Sequence, residues 1–428
     1  MPNVNVQELD DGIRLTVISD EKFKTVGISY CFHLELDDDY SYNALLPAVL
    51  KSGCEGLASM QEIDGHLDRQ YGALFNTGIQ KKGESQIARF SLDLVNSKYI
   101  DNEEATLAQG FHFLNRLLSK PVLVDGVFRE EVVERERTNM IGRINSMLND
   151  RSLYSMERCI REMCGRERFS RLAYGSIDDL KSLDPERLTE CYYKMIGSSP
   201  LDIIVIGDVV PEKIRQLVEV SLHLERKSVR KLKYGPFLKM RTRMREVHER
   251  MPGLAQGNLV IGCRTNTAYS DDDFPALMVY SSILGGGAYS MLFNSLRERE
   301  GLAYYVNAGL EKHYGLLMIQ AGIEPGSFTA AKLLVKQEME LLSKGKMDAS
   351  VYVQAMKDLA AYYKGIMDDQ DQLADYYLNN SAANSRVALE EDMERISRVK
   401  PEDVRQIGRK IKMDTVYYLS SEGRVKKE

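Results

Sequence analysis

Residues 284–306 read LGGGAYSMLFNSLREREGLAYYV. An apolar helix end runs into a glycine triplet, then a second short helix, then a strand. Met291, Leu292 and Leu296 give the second helix its apolar face. Gly301 punctuates that helix, as a glycine in left-handed conformation does at a helix C-terminus. The following AYYVNAGL is aromatic and β-branched enough to be a strand. Arg297 and Tyr304 stand seven residues apart on either side of Gly301. By themselves they read first as a surface ion-pair donor and an ordinary strand aromatic. The alternative is a guanidinium and a phenol facing one cleft. The Gly285–Gly287 run follows a helix, not a strand, so it predicts close helix packing or a hinge rather than a phosphate loop.

Working outward, the stretch has an earlier counterpart. The segment DDDYSYNALLPAVLKSGCEGLASM…LDRQYGALFNTG from Asp37 parallels DDDFPALMVYSSILGGGAYSMLFNSLREREGLAYYVNAG from Asp271, with Leu67 and Gly72 matching Leu296 and Gly301 at one offset. Each half runs strand, helix, helix, strand pair, long helices, which predicts a duplication. The expected fold class is α+β: two homologous domains, each a mainly antiparallel sheet with helices packed on one face. The expected boundaries are a first domain over 1–225, a basic linker over 226–250 and a second domain over 251–428. The stretch 226–245 holds nine Lys or Arg but no aromatic platform, so it reads as a solvated connector rather than a nucleic-acid site.

A chain of 428 residues exceeds one typical domain. The net charge of -6 gives no general pull towards nucleic acid. The first twenty residues lack a basic then apolar leader, and no apolar run approaches the ~20 residues of a membrane span. Cys31, Cys54, Cys159, Cys164, Cys191 and Cys263 form no CxxC, as expected of buried thiols in a reducing compartment. A cytoplasmic bacterial protein that engages neither nucleic acid nor membrane fits these features. There is no G-x-S-x-G elbow, Walker loop or Rossmann fingerprint. His33, His66, His112, His223, His248 and His313 never stand three or four residues apart.

LREREGLAYYV, together with the preceding LGGG-x-x-S-x-LF pattern, resembles the second homologous domain of the pitrilysin/insulinase-type metallopeptidases, the inverzincin group that includes mitochondrial processing peptidase. The resemblance covers essentially the whole chain. It implies that Arg297 and Tyr304 reach a substrate at a zinc site carried by another domain. That site is H-x-x-E-H on a helix, because residues i and i+4 share a helix face and the intervening Glu acts as general base. By position the motif falls on Ala44-Leu45-Leu46-Pro47-Ala48: both histidines are alanine and the base is Pro47. The distal glutamate ligand falls in VVERERTNMIGRI, where Glu136 is kept but the ligand position is Arg143.

These degenerate positions predict that no zinc is held on this chain. The resemblance therefore implies a non-zinc subunit, inactive alone, that binds peptide and lends Arg297 and Tyr304 in trans to a homologous zinc-bearing subunit. The alternative is a catalytically inactive peptide-binding or structural scaffold, formed as a self-dimer.

Overall fold

The computed structural model describes residues 2–9, 12–100, 105–165, 167–231 and 243–421. In the first half the elements are β1 (Asn3–Leu9), β2 (Ile13–Ser19), β3 (Thr25–Glu35), α1 (Tyr40–Leu50), α2 (Met60–Asp68), β4 (Leu74–Lys82), β5 (Ser85–Val95) and α3 (Ala105–Ser119). A two-strand hairpin, β6 (Leu123–Val124) and β7 (Val127–Phe128), precedes α4 (Glu130–Asn149), α5 (Arg151–Cys164), α6 (Ile177–Lys181), α7 (Pro185–Ser198), β8 (Leu201–Gly207) and α8 (Pro211–Ser221). The second half contains β9 (Arg245–Arg250), β10 (Gly257–Arg264), α9 (Phe274–Gly285), a π-helix (Phe293–Arg299), β11 (Ala303–Glu311) and β12 (Leu316–Ile323). It closes with α10 (Phe328–Ser343), α11 (Ala349–Asp368), α12 (Gln370–Ala382), α13 (Leu389–Ser397), α14 (Pro401–Lys410) and β13 (Lys412–Ser420).

Local chemistry accounts for many of the boundaries. Ser59 caps α2 by accepting from Glu62 N, while Glu62 accepts from Ala58 N. Asp150 caps α5 through Ser152 N and Leu153 N, and Asp184 with Pro185 opens α7. Pro47 lies in the second half of α1 rather than its first turn, and the helix continues for three residues beyond it.

The duplication is visible in the sheet topology. One sheet has the order β1-β2-β8-β3-β5-β4, and the other, read from its far edge, β9-β13-β10-β12-β11. The second sequence reproduces the last five strands of the first, and β1 is the addition. Neighbours are antiparallel except β2–β8 and β9–β13. The fold class is thus the expected α+β with antiparallel-dominated sheets. Strand β9 occupies the end of the stretch expected to be a basic linker. Residues 232–242 of that linker lie outside the described residues.

By packing, the chain forms two compact units, each discontinuous. Unit 1 is Met1–Ile144, Arg171–Lys233 and Ile366–Ser381; unit 2 is Asn145–Ser170, Tyr234–Gly365 and Ala382–Glu428. Helix α12 of the second half therefore belongs to the first unit, and α5 of the first half to the second. The contiguous boundaries 1–225 and 251–428 remain a proposal about the duplicated repeat, not a description of these units.

Within unit 2, α5 lies on the sheet face opposite α9 and α14. Ile160, Met163 and Cys159 pack with Val260, Met318 and Tyr417 in one apolar cluster. Gly262 is needed there, since a Cβ would come 2.6 Å from the Met163 sulfur. Within unit 1, α12 buries Leu373, Ala374, Tyr376, Tyr377 and Leu378 and adds polar contacts along its length. Arg89 reaches Asp371 and Asp375, Lys82 reaches Asn379, and Arg14 reaches Ser381. With both faces covered, β8, β10 and β12 are buried along their whole length and show no alternation.

Candidate functional site

Arg297 and Tyr304 lie in unit 2, on either side of the turn that joins the π-helix to β11. Gly285 ends α9 hard against that strand: a Cβ there would come 2.6 Å from Ala308 N. This bears out the close-packing reading of the glycine run. The next helix is wound with i→i+5 bonds, of which Glu300 N to Ser295 O at 3.2 Å is one. Leu302 N then bonds Leu296 O at 2.8 Å, and Gly301 takes φ 64°, the left-handed value expected of it.

The strand opens with an irregularity. Ala303 pairs with Ile323 and Tyr305 with Gly322, so Tyr304 is the extra residue of a β-bulge. Its side chain is 54% exposed. The neighbouring Tyr305 has a different role. Its ring lies over Gly322, where a Cβ would meet it at 2.4 Å, and its hydroxyl bonds Asn258 at 3.2 Å and Ser152 at 3.3 Å. The equivalent start of β4 carries no such bulge: Leu74, Phe75 and Asn76 pair in regular register with Asp93, Leu92 and Ser91. Arg297 is about half exposed. Its guanidinium sits 4.9 Å from the Phe293 ring centroid and 3.8 Å from a Glu298 carboxylate oxygen. Both side chains are presented to solvent at the mouth of an edge strand, since β11 is the outermost strand of its sheet.

Ala44, Pro47, Ala48 and Arg143 lie in unit 1. Ala44 and Pro47 are buried in α1 and Ala48 is partly so. Arg143, on α4, is exposed. It stacks on Tyr174 at 4.3 Å and donates to the Tyr174 hydroxyl at 3.0 Å. Tyr174 in turn belongs to a loop seated on the first turn of α1: a Cβ on Gly175 would come 2.9 Å from Ser41 Cα, and Ser176 N donates to Ser41 Oγ. At the other end of α1, Arg135 donates to Ser52 Oγ at 2.9 Å and to the kept carboxylate of Glu136 at 2.8 Å. The fold thus brings Arg143 to the neighbourhood of α1. Two methyl groups, a pyrrolidine ring and a guanidinium offer a divalent cation no lone pair, so these residues do not fit zinc. Among the described residues no three His, Cys, Asp or Glu side chains are grouped to hold a metal ion.

The sequence reading missed one polar constellation. His33 is buried in β3, with Nε2 2.5 Å from Asp202 Oδ2, and Ser381 donates to the same carboxylate oxygen at 2.5 Å. Arg14 completes the chain through Ser381. The partners lie 169 and 179 residues apart, so no local spacing could have signalled them.

The chain is thus a duplicated α+β unit, with no metal donor at the motif positions of α1 and with Arg297 and Tyr304 exposed in the second half. Residues 182–359 match the family model described as "Peptidase M16 inactive domain". The chain is similar to pitrilysin/insulinase-type, M16-like proteins and carries no H-x-x-E-H motif in its sequence. It is 29% identical over 409 residues to "Probable inactive metalloprotease YmfF" of Bacillus subtilis, covering 95% of this chain and 96% of that one. Its structure is similar to that of a conserved Enterococcus faecalis protein, with TM-score 0.90, 25% identity and coverage of 99% and 100% of the two chains. The fold is also that of a peptidase M16 inactive domain from Pseudomonas fluorescens, at TM-score 0.81, 16% identity and full coverage of both chains. No helix among the described residues is long and apolar enough to cross a membrane.

Proposed function

We propose that this chain is the non-zinc subunit of a two-subunit, pitrilysin-type peptidase. It binds peptide and supplies Arg297 and Tyr304 to the zinc site of a homologous partner subunit. The observation that carries this reading is the exposed pair around Gly301, with Tyr304 set out in a bulge at the opening of β11, in a chain whose own motif positions offer no donor. A chain freed of every catalytic duty has no need to hold a guanidinium and a phenol there. In the assembled site the two side chains hydrogen-bond the substrate carbonyl and stabilise the developing oxyanion. The peptide adds by main-chain hydrogen bonds to an outer strand, a role open to β4 or β11. Zinc, on the partner, supplies the activated water; no step is assigned to a metal on this chain.

The test uses three samples: this chain, a homologue of similar length with an intact H-x-x-E-H, and their equimolar mixture. Zinc content and peptide hydrolysis are measured in each. Cleavage confined to the mixture is the expected result. Stoichiometric zinc and hydrolysis by this chain alone would overturn it. A stable self-dimer that binds peptide, with no activity in any mixture, would transfer the assignment to a scaffold.

A further inference from the structure

Unit 1 carries a cavity of about 840 Å³ whose lining shares no residue with the proposed peptidase site. Its walls are α2, α3, α7 and the extended segment 223–227. The volume falls within the ~300–1,000 Å³ typical of small-molecule sites. Helix α3 forms one wall through Gln109, His112, Phe113 and Arg116, which recur at helical spacing along one face, with Lys120 just beyond its end.

The wall 223–227 is fixed in place. His223 N donates to Asn115 Oδ1 at 2.8 Å, tying it to α3. Lys227 N donates to Gly197 O at 2.6 Å, and Arg226 donates to Ile196 O and Ser199 O at 2.6 and 2.7 Å, tying it to the end of α7. A polar stretch is thereby spanned across an opening and held on both sides, so the cavity is pre-formed.

The lining combines an aromatic surface with cations. Tyr193 is 56% exposed, tilted against Tyr192 at 4.9 Å between ring centroids. Arg116 reaches the Cys54 thiol, yet its buried Nε has no hydrogen-bond partner among the described residues. Lys120 is committed to Glu55 at 2.7 Å, whereas Lys227 and Glu225 belong to the fixed wall.

We propose that this cavity binds a nucleoside monophosphate, a ligand with a planar base and an anionic phosphate. The base stacks on Tyr193, Arg116 and Lys227 take the phosphate, and Glu225 accepts from an exocyclic amine. The assignment does not rest on the peptidase reading, because none of these residues belongs to that site.

Calorimetric titration of the full chain with adenosine monophosphate, adenosine and inorganic phosphate tests it. Saturable binding of the monophosphate is expected, at least about tenfold tighter than either fragment, because one lost anchoring contact costs on the order of tenfold. Lys227→Gln and Tyr193→Ala should each weaken it by about that factor with unchanged melting temperature, as both side chains lie on the surface of the wall rather than in the core. Absence of saturable binding at millimolar nucleotide would overturn the proposal. So would binding that both variants leave untouched, or phosphate binding as tight as the nucleotide.

Discussion

Tyr304 and Tyr305 are adjacent and chemically identical, yet the fold gives them opposite tasks. Tyr305 covers Gly322 and anchors to Ser152 and Asn258, whereas Tyr304 is displaced by the bulge into solvent. Loss of one oxyanion donor costs ~10²–10³ in kcat. In the reconstituted two-subunit enzyme, Tyr304→Phe and Arg297→Ala should each reduce kcat by about that range with assembly intact. Steady-state kinetics of the mixture checks this, and a change under about threefold would remove the pair from catalysis. Tyr305→Phe, by contrast, should cost about 1 kcal/mol of stability through its lost hydroxyl bonds and leave kcat close to wild type. The sequence placed Arg297, Gly301 and Tyr304 in one local stretch, and the resemblance singled out Tyr304; the bulge that sets it apart from Tyr305 depends on pairing with β12.

Among the helices, α5 and α12 hold corresponding places in the repeat; both bury apolar side chains, and α12 adds exposed ion pairs to them. The apolar cluster beneath α5 makes Ile160→Ala a cavity-forming change, expected to cost about 3 kcal/mol. Asp375 on α12 is 42% exposed beside Arg89, so Asp375→Asn should cost no more than about 1 kcal/mol and less at high salt. Denaturant unfolding of both variants measures the contrast.

Strand β9 adds a pH-dependent component. Burial raises the pKa of the Glu249 carboxyl, but hydrogen bonds from Tyr154 and Tyr417 and the charge and hydrogen bond of Arg158 outweigh it and hold the group below the usual carboxylate range. A depressed folded-state pKa means that the stabilisation is present above the unfolded value, about 4.3, and is lost as pH falls through the folded value. Glu249→Gln should therefore be less stable than wild type near neutrality, with the difference shrinking as pH falls below the unfolded value. A difference independent of pH would contradict this. The charged REVHER sequence hid this strand from a propensity reading; β13 recruits it by parallel pairing.

For the molecule as a whole, the exchange of α5 and α12 sets how the chain can be divided. A first half ending near residue 231 keeps Arg14, Lys82, Arg89 and the buried His33–Asp202 pair but loses the helix they hold. A second half starting near residue 243 keeps Val260, Met318 and Tyr417 without the helix that covers them. Each half expressed alone should be loosely packed and prone to aggregate, the second more than the first. Co-expression should restore cooperative melting. Two halves that each melt cooperatively alone would contradict the exchange.

What the sequence settled by itself was local or comparative: Gly301 in left-handed conformation and the duplicated order of elements. Such features depend on near neighbours, on periodicity and on the atoms a side chain possesses. Only the tertiary structure decided which sheet each of α5 and α12 covers, the bulge that sets Tyr304 apart, and the meeting of His33, Asp202 and Ser381. An amphipathic face states that a helix is buried without naming what it is buried against. That choice is made by contacts between residues more than a hundred positions apart, and no window of sequence contains them.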